Sequence, residues 1–322
     1  CLLTQASTNE LKSRDRFGKL EGTVTSGMAP QRVALTHSPP VKEGRNGFYA
    51  DLVSPANPGE FVLLRGDFDA LPIQEESEVE WRSKAPGVGH LCGHDTHTAM
   101  LLGAMKLLIK RREQLPVSVR FVFQHAEEVA PGGAKDFVEA GITEPVLGCF
   151  GLHVSPRVPI DCFGVRAGEA WAAVGVFEAD IRGHGGHGAA PHEAVDPIPA
   201  AANAVLALQQ IVSRHLPPTE PAVVSVTTIH GGTAFNVIPE KVKITGTFRT
   251  FNPGRVEEIE SLIVKTIEAS AQAWRCEADV DASHSYPPLI NDDKAVEASR
   301  AAVTEMFGED KLTVPAKNMG AE

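Results

Sequence analysis

The chain has 322 residues, a formal net charge of −11 at pH 7 and 22% charged residues, which is ordinary for a globular protein. Its length is sufficient for one large domain or two ordinary domains, each with a buried core. The acidic balance, and a sequence in which no Lys/Arg-rich block is interleaved with aromatics, argue against a nucleic-acid partner, and no apolar run reaches the length of a membrane span.

The first 45 residues give the weakest pattern in the chain. Residues 11–20 are polar with a faint helical period, and residues 23–40 are rich in turn formers, so we expect a leader or part of an element. The opening residues lack a charged region followed by an apolar one, and we expect no signal peptide. The five cysteines are scattered and odd in number, which favours a reducing, cytoplasmic location over a disulfide framework.

From residue 46 onward, short apolar runs alternate with helical patterns, which predicts an α/β fold with a largely parallel sheet. Three of these runs are predicted strands, at 61–65, 117–124 and 147–152. Acidic or imidazole side chains follow each of the three runs, namely Asp67 and Asp69, then His125, Glu127 and Glu128, then His153. Because ligands bind at the carboxyl ends of strands in open α/β sheets, we expect these side chains to converge.

The stretch 90–100 holds the densest set of candidate metal ligands. Cys92 and His94 are two residues apart, so in a looped backbone both can point toward one ion. Thiolate and neutral imidazole are ligands that zinc and similar metals prefer. An apolar run at 99–109 predicts a helix, and Asp95 or Thr96 would cap its amino end.

Each of these groups also has a structural interpretation. Asp67 and Asp69 could simply cap a turn. Glu127 and Glu128 could form the solvated start of a helix, where acidic residues are favoured. His153 alone fits a hydrogen-bonded core histidine, and Cys92 alone fits a buried free thiol. Their joint occurrence at the ends of predicted strands and in one loop favours a single metal site.

Several motifs in chain order resemble one family of enzymes. They are Arg65-Gly66-Asp67-Phe68-Asp69-Ala70-Leu71-Pro72-Ile73, Cys92-Gly93-His94-Asp95-Thr96-His97-Thr98-Ala99-Met100, Phe123-Gln124-His125-Ala126-Glu127-Glu128, Gly132-Gly133-Ala134 and Gly151-Leu152-His153. The set resembles the M20 metallopeptidase family, in its branch of aminoacylases, hippurate hydrolases and auxin-conjugate hydrolases. The similarity runs from about residue 46 to the last residue and is specific to the family rather than to a substrate.

The second half of the sequence predicts strands at 174–181, 222–230, 241–251 and 277–282, with helices at 197–214 and 256–273. This β-α-β-β-α-β order suggests a ferredoxin-like domain. The resemblance implies that this α+β satellite is inserted in the catalytic domain and forms a homodimer or a lid. The domains expected are thus 1–45 as a leader, 46–168 with 284–322 as the catalytic part, and 169–283 as the satellite.

The resemblance implies a two-metal amide hydrolase. Two divalent ions (Zn, Mn, Co or Ni) would be held by the side chains Cys92, His94, Glu128 and His153, with Cys92 as a candidate bridge. Glu127 would be the general base, and Asp69 would orient a metal ligand.

In the satellite, the resemblance implies that His187 presents an imidazole to the reacting carbonyl, often from the partner subunit. Asn236 and Arg249 would hold the acyl amide and the substrate carboxylate, although Arg249 also fits an ordinary strand-end arginine. The Gly-rich loop 183–192 is not a phosphate loop, because no Lys-Ser/Thr pair follows it. We interpret His184 and His192, in the same loop, as incidental.

Two departures from the family pattern stand out. His125 occupies the position before Ala-Glu-Glu where relatives usually have proline, and the final histidine ligand expected beyond Glu322 is not in this sequence.

Taken together, the motifs and the family resemblance predict an amidohydrolase of small N-acyl amino acids. The alternatives are a dipeptidase or carbamoylase of the same superfamily, or an inactive metal-binding homologue.

Overall fold

The computed structural model describes residues 35–38 and 40–322, so most of the predicted leader lies outside the described residues. The chain forms two compact units, one that ends at Cys162 and one that spans Phe163–Glu322. In the part of the chain that the structure describes, no helix combines the length and apolarity needed to cross a bilayer.

The first unit is built on a five-stranded sheet. Its strands are β1 (Leu35–His37), β2 (Phe48–Leu52), β3 (Phe61–Asp67), β4 (Ser118–Gln124) and β5 (Val146–Gly151). The spatial order is β1-β2-β4-β3-β5, with β3 parallel to both β4 and β5. Strand β2 is antiparallel to β1 and β4, so the sheet is mixed rather than largely parallel. The three predicted strands are therefore the parallel part of the sheet, and their carboxyl ends share one edge.

Among the described residues of this unit, two helices accompany the sheet, α1 (His94–Lys110) and α2 (Gly133–Glu139), with a short 3-10 turn at Arg112–Gln114. Leu101 and Met105 are four residues apart on α1 and are buried in one cluster with Phe121 and Phe123 of β4. Full burial of such side chains stabilises a fold by about 1.5–3 kcal/mol each. This packing fixes α1, and with it the loop at its amino end, over the sheet.

The second unit has a larger set of elements. In chain order they are β6 (Phe163–Gly164), β7 (Gly168–Trp171), β8 (Ala173–Arg182), β9 (Gly186–His187), a 3-10 turn (Pro191–Glu193), α3 (Pro197–Gln210) with a π-helical turn (Ile211–His215), β10 (Ala222–Gly231), β11 (Val237–Ile238), β12 (Lys241–Thr250), a 3-10 turn (Pro253–Arg255), α4 (Val256–Ala273), β13 (Glu277–Tyr286), β14 (Leu289–Asn291), α5 (Asp293–Phe307), a 3-10 turn (Glu309–Lys311) and β15 (Leu312–Thr313). An antiparallel four-stranded sheet has the order β10-β12-β8-β13. Three small pairs complete the unit: β9 with β11, β7 with β14, and β6 with β15.

The core of this second unit follows directly from sequence periodicity. Alternate residues of β8, including Phe177 and Ile181, are buried against Ile259, Ile263 and Ile267, which recur every four residues on α4. The predicted β-α-β-β-α-β order is the order observed for β8, α3, β10, β12, α4 and β13. Residues 284–322 lie in this same unit, and their assignment to a catalytic domain around an inserted satellite stays a prediction.

Candidate metal centre

The parallel strands of the first unit bring their carboxyl ends together around one imidazole, that of His94. One ligand atom from each of Cys92, His94 and His153 lies within 4.8 Å of the other two, and the same is true of His94, Glu127 and Glu128. His94 is fully buried, and its Nε2 lies 4.0 Å from a Glu127 carboxylate oxygen. The structure therefore brings the other three predicted ligands and the predicted base to this imidazole.

Asp69 follows β3 and connects two of these groups. Its Oδ1 lies 3.3 Å from Nδ1 of His94, and its Oδ2 accepts from the backbone N–H of Glu128 at 3.3 Å. The carboxylate is 1% exposed, so its charge is poorly screened by solvent. Asp69 thus contacts both the imidazole and the start of the acidic turn.

Helix α1 begins at His94 with Gly93 as its N-cap, and no side chain caps it. The prediction that Asp95 or Thr96 caps the helix is therefore wrong. Both residues lie inside the first turn, where the Thr96 hydroxyl instead donates to the Gly93 carbonyl at 2.6 Å. Gly93 has a φ of 83°, a left-handed conformation that costs other residues about 1–2 kcal/mol. The glycine lets the chain reverse so that Cys92 and His94 face the same point.

Cys92 lies beside the imidazole of His153, with Sγ 3.5 Å from Nε2. His153 donates from Nδ1 to the Val154 carbonyl at 2.5 Å, so Nε2 is the ring nitrogen that faces the Cys92 sulfur. Hydrogen bonds with His153 first, and then with His94, lower the pKa of Cys92 to about 6. The thiol is therefore largely a thiolate at neutral pH in the metal-free protein, the form that binds metals.

The charge state of His94 is set by opposing effects. Burial lowers the pKa of His94, but hydrogen bonds with Asp69 and Cys92, together with the charges of Asp67 and Asp69, outweigh it and raise the pKa to about 9. A cation at this point is thus favoured by the surrounding thiolate and carboxylates. In the metal-free protein the proton on His94 supplies that positive charge, and a metal ion would replace it.

The donor set fits a borderline divalent metal. One thiolate, two imidazoles and two carboxylates are the groups that Zn, Mn, Co or Ni accept. The two imidazoles also have the outer contacts typical of metal ligands, because Nδ1 of His94 faces a carboxylate and Nδ1 of His153 donates to a backbone carbonyl. In each ring these outer contacts are made by Nδ1, and Nε2 faces the other candidate metal ligands.

The turn after β4 carries the acidic pair in an unusual conformation. Ala126 has a φ of 48°, which is rare for a residue with a side chain, and its carbonyl accepts from Gly133 N–H at 3.0 Å. A Cβ at Gly133 would lie 1.8 Å from the carbonyl oxygen of His125, so only glycine allows this close approach. The turn therefore points Glu127 inward, where it is 7% exposed, while Glu128 is exposed.

His125, which replaces the proline expected from the family pattern, anchors this turn from the opposite side. It is fully buried, and its Nε2 lies 3.0 Å from Oδ2 of Asp136 on α2. The other oxygen of Asp136 accepts from Lys42 Nζ at 2.7 Å. The imidazole therefore ties the end of β4 to α2 through Asp136.

The three predicted satellite residues lie in the second unit. His187 and Asn236 are exposed and lie on the paired segment of β9 and β11, where the Gly188 N–H donates to the Asn236 carbonyl at 2.8 Å. The Ala189 N–H donates to His187 Nδ1 at 3.1 Å, so a neutral His187 carries its proton on Nε2 as a free donor.

Arg249 belongs to a different sheet, on β12. Its Nε donates to the Met319 carbonyl at 3.2 Å, one terminal nitrogen donates to the Phe248 carbonyl at 3.0 Å and bonds to the Thr247 hydroxyl, and burial lowers its pKa.

The sequence interpretation did not assign a role in the centre to His97, a buried residue of the first unit that pairs with Asp67. His97 Nδ1 lies 2.6 Å from Asp67 Oδ1, and Asp67 also pairs with Arg65 at 3.0 Å. Burial raises the pKa of Asp67, but the hydrogen bond from His97 and the charge of Arg65 outweigh it and hold the pKa at about 2. The signal for His97 was its position three residues after His94, on the same helix face.

Comparisons with known proteins agree with this chemistry. The family model for peptidase family M20/M25/M40 matches residues 63–322. The chain is 48% identical over 235 residues to the IAA-amino acid hydrolase ILR1-like 5 of Arabidopsis thaliana, covering 72% of this chain and 54% of that protein. It is 43% identical over 237 residues to the N-acyl-L-amino acid amidohydrolase of Geobacillus stearothermophilus, covering 74% and 64%. The chain thus spans less than two thirds of the length of these curated relatives.

A solved structure gives the same result for the fold. The YXEP protein of Bacillus subtilis, described as a dinuclear metal-binding peptidase from the M20 family, superposes with a TM-score of 0.79 at 30% identity. The match covers 100% of this chain and 80% of that chain.

Proposed function

Because the chain belongs to peptidase family M20/M25/M40, we propose that it acts as a metal-dependent amidohydrolase that cleaves the amide bond of N-acyl amino acids. The observation that carries the proposal is the buried His94 imidazole, which a Cys/His donor set and a Glu/Glu donor set share. The names of the two curated relatives describe hydrolysis of an acyl group joined to an amino acid. These relatives support the same class of substrate here.

We propose that the side chains of Cys92, His94, Glu128 and His153 would hold two divalent ions. Such ions supply a Lewis acid for the scissile carbonyl and acidify the water that attacks it. Two observations support this set of ligands. Cys92 Sγ lies 3.5 Å from His153 Nε2, and His94 belongs to both groups of neighbouring ligand atoms.

Glu127 is the proposed general base. It takes a proton from the attacking water as the new C–O bond forms, and it passes that proton to the amide nitrogen as the C–N bond breaks. Its carboxylate is 7% exposed and lies 4.0 Å from His94 Nε2, close to the candidate metal ligands. Glu128, which is exposed on the same turn and has a carboxylate oxygen within 4.8 Å of ligand atoms of His94 and Glu127, is the proposed metal ligand of the pair.

His187, Asn236 and Arg249 would complete the substrate site. The protonated Nε2 of His187 is suited to donate to the oxygen of the carbonyl as charge develops there, a contact worth about 3–4 kcal/mol in other hydrolases. Asn236 would hold the acyl amide and Arg249 the substrate carboxylate. For Arg249 this requires the guanidinium to keep one terminal nitrogen available beside its bonds to backbone carbonyls.

We further propose a homodimer through the four-stranded sheet of the second unit. Strand β10 lies at one end of that sheet among the described residues, and Leu206 and Ile229 are exposed on the adjoining surface of α3 and β10. Unpaired strand edges with apolar neighbours favour pairing with another chain. Sedimentation of the protein should give a dimer that Ile229→Lys weakens, and a monomeric wild-type protein would contradict the proposal.

The test of the enzyme is hydrolysis by the product of the complete gene, loaded with Mn²⁺, Zn²⁺ or Co²⁺ and offered a panel of N-acyl amino acids. Glu127→Gln should lower kcat by about 10²–10⁴-fold with the fold intact. Glu139→Gln is the matched control, because this exposed carboxylate on α2 pairs only at 3.8 Å with Lys135 and should leave kcat unchanged. Folded, metal-loaded protein that cleaves no substrate of the panel would refute the proposal.

A further inference from the structure

His97 is a buried histidine next to the candidate ligands, yet both of its ring nitrogens are engaged by other groups. The ring is 2% exposed. Its Nδ1 lies 2.6 Å from Asp67 Oδ1, and its Nε2 accepts the backbone N–H of Val154 at 2.9 Å. A nitrogen that accepts an N–H carries no proton, so the proton of the neutral ring is on Nδ1 and is donated to the carboxylate.

This tautomer removes His97 from the list of metal ligands. Ligand atoms of Asp67, His94 and His97 lie within 4.8 Å of one another, so by distance alone the three resemble a site. However, the only lone pair that His97 can offer an ion is the one that accepts from Val154. Asp67, in turn, is already paired with Arg65 at 3.0 Å.

The hydrogen bond between His97 and the Val154 N–H also affects the preceding residue, His153. The N–H of Val154 is held by His97, while its carbonyl accepts from His153 Nδ1 at 2.5 Å. The two rings also pack edge to face, with centroids 4.6 Å apart and planes at 69°. Hydrogen bonds thus hold both the backbone N–H and the backbone carbonyl of Val154, in the loop after β5.

With this loop fixed, the His153 ring can turn only its Nε2 toward Cys92, at the observed 3.5 Å. We propose that His97 is a positioning residue, which anchors the Val154 backbone to Asp67 and so holds His153 in the orientation that binds metal. The inference rests on the proposed function only in that it takes His153 as a ligand. It concerns the metal centre rather than the hydrolytic reaction.

The two sides of the ring can be tested separately by two substitutions. In His97→Asn the side-chain amide reaches the position of Nδ1, so it can still donate to Asp67 but leaves Val154 without an acceptor. In His97→Gln the amide reaches the position of Nε2, so it can accept from Val154 but loses the bond to Asp67. His90→Asn, an exposed histidine outside the site, is the control.

The readout is Co²⁺ and Zn²⁺ affinity by calorimetry, together with the absorption bands of the bound Co²⁺, measured on protein shown to be folded by circular dichroism. His97→Asn should weaken Co²⁺ binding about 10–100-fold, as loss of an outer partner of a ligand does elsewhere. His97→Gln should retain most of the affinity, and His90→Asn all of it. Wild-type affinity in His97→Asn, or equal losses in the Asn and Gln variants, would overturn the proposal.

A measurement on the wild-type protein keeps the test independent of folding in the variants. With ¹⁵N-labelled histidine, Zn²⁺ should shift the Nε2 resonance of His153, while both nitrogens of His97 keep the signature of a neutral ring protonated on Nδ1. A metal-bound shift at His97 Nε2 would overturn the proposal. Neither readout depends on hydrolysis, so a failure of the proposed activity and a failure of this inference are distinguishable.

Discussion

Replacing Asp136 with alanine should loosen the turn that carries the acidic pair, because Asp136 anchors that turn through His125. Asp136 is 8% exposed and His125 is fully buried, and their hydrogen bond spans 3.0 Å. Removing the acceptor leaves a buried imidazole N–H unsatisfied, at a cost of about 1–3 kcal/mol. The ion pair with Lys42, whose side chain is 55% exposed, adds at most about 1 kcal/mol.

Alanine regains about 0.5 kcal/mol in α2 through its higher helix propensity. We therefore expect a net local destabilisation of about 0.5–3.5 kcal/mol, with a central value of about 2 kcal/mol. Hydrogen exchange of the segment 125–139, followed by mass spectrometry, measures this local opening. Since about 1.4 kcal/mol corresponds to a factor of ten, the central value corresponds to a roughly thirtyfold loss of protection.

The matched control is Glu113→Gln, which removes an exposed ion pair with Arg112 in the same unit and should change protection by less than about threefold. Unchanged protection in Asp136→Ala, or an equal loss in the control, would refute the reasoning.

The pH dependence of stability gives a second test. Burial lowers the pKa of His125. For Asp136, burial raises the pKa, but its hydrogen bonds with Lys42 and His125 outweigh burial and lower the pKa. The stability from this pair is therefore complete above the ordinary histidine pKa of 6.5 and is lost as the pH falls below it.

Three further outcomes are expected. Alkylation of Cys92 by iodoacetamide in the metal-free protein should follow a midpoint near pH 6, because the pKa is lowered to about 6, and a midpoint near 9 would contradict it. Gly93→Ala should cost about 1–2 kcal/mol by thermal unfolding, since the residue has a φ of 83° and a Cβ would lie 2.3 Å from a Val154 methyl carbon. Arg120→Lys should cost about 2–3 kcal/mol by the same measure, because Arg120 binds both oxygens of Asp51 at 2.8 Å in a buried, bidentate pair that lysine cannot reproduce.

Much of the fold could be predicted from periodicity. The helix at 256–273 was predicted with the observed bounds, because its isoleucines repeat every four residues and no competing signal interrupts them. The strands of the parallel group were predicted within one or two residues, because they are short apolar runs followed directly by polar groups. The antiparallel strand β2 was not predicted, since its partner lies about 70 residues away and its pairing is not a local property.

The sequence pointed to candidate ligands that the structure brings together, but not to the contacts that support them. The spacing of Cys92 and His94 is visible in the sequence, whereas the bond from Val154 to His97 depends on the backbone of a loop 57 residues away. The start of α1 was misplaced because Asp95 and Thr96 are good capping residues, while the observed cap depends on the left-handed backbone of Gly93.

The parallel arrangement of β3, β4 and β5 has a consequence for how the protein matures. Cys92 and His153 are 61 residues apart in the chain, so they meet only after β5 has paired with β3. Such distant pairings form late, since the entropy of closing a long loop opposes them until neighbouring contacts exist. We therefore expect α1, which begins at His94, to form before His153 reaches Cys92. We expect the nascent chain to bind metal weakly and the finished sheet to bind it tightly, so that metal uptake reports completion of the first unit.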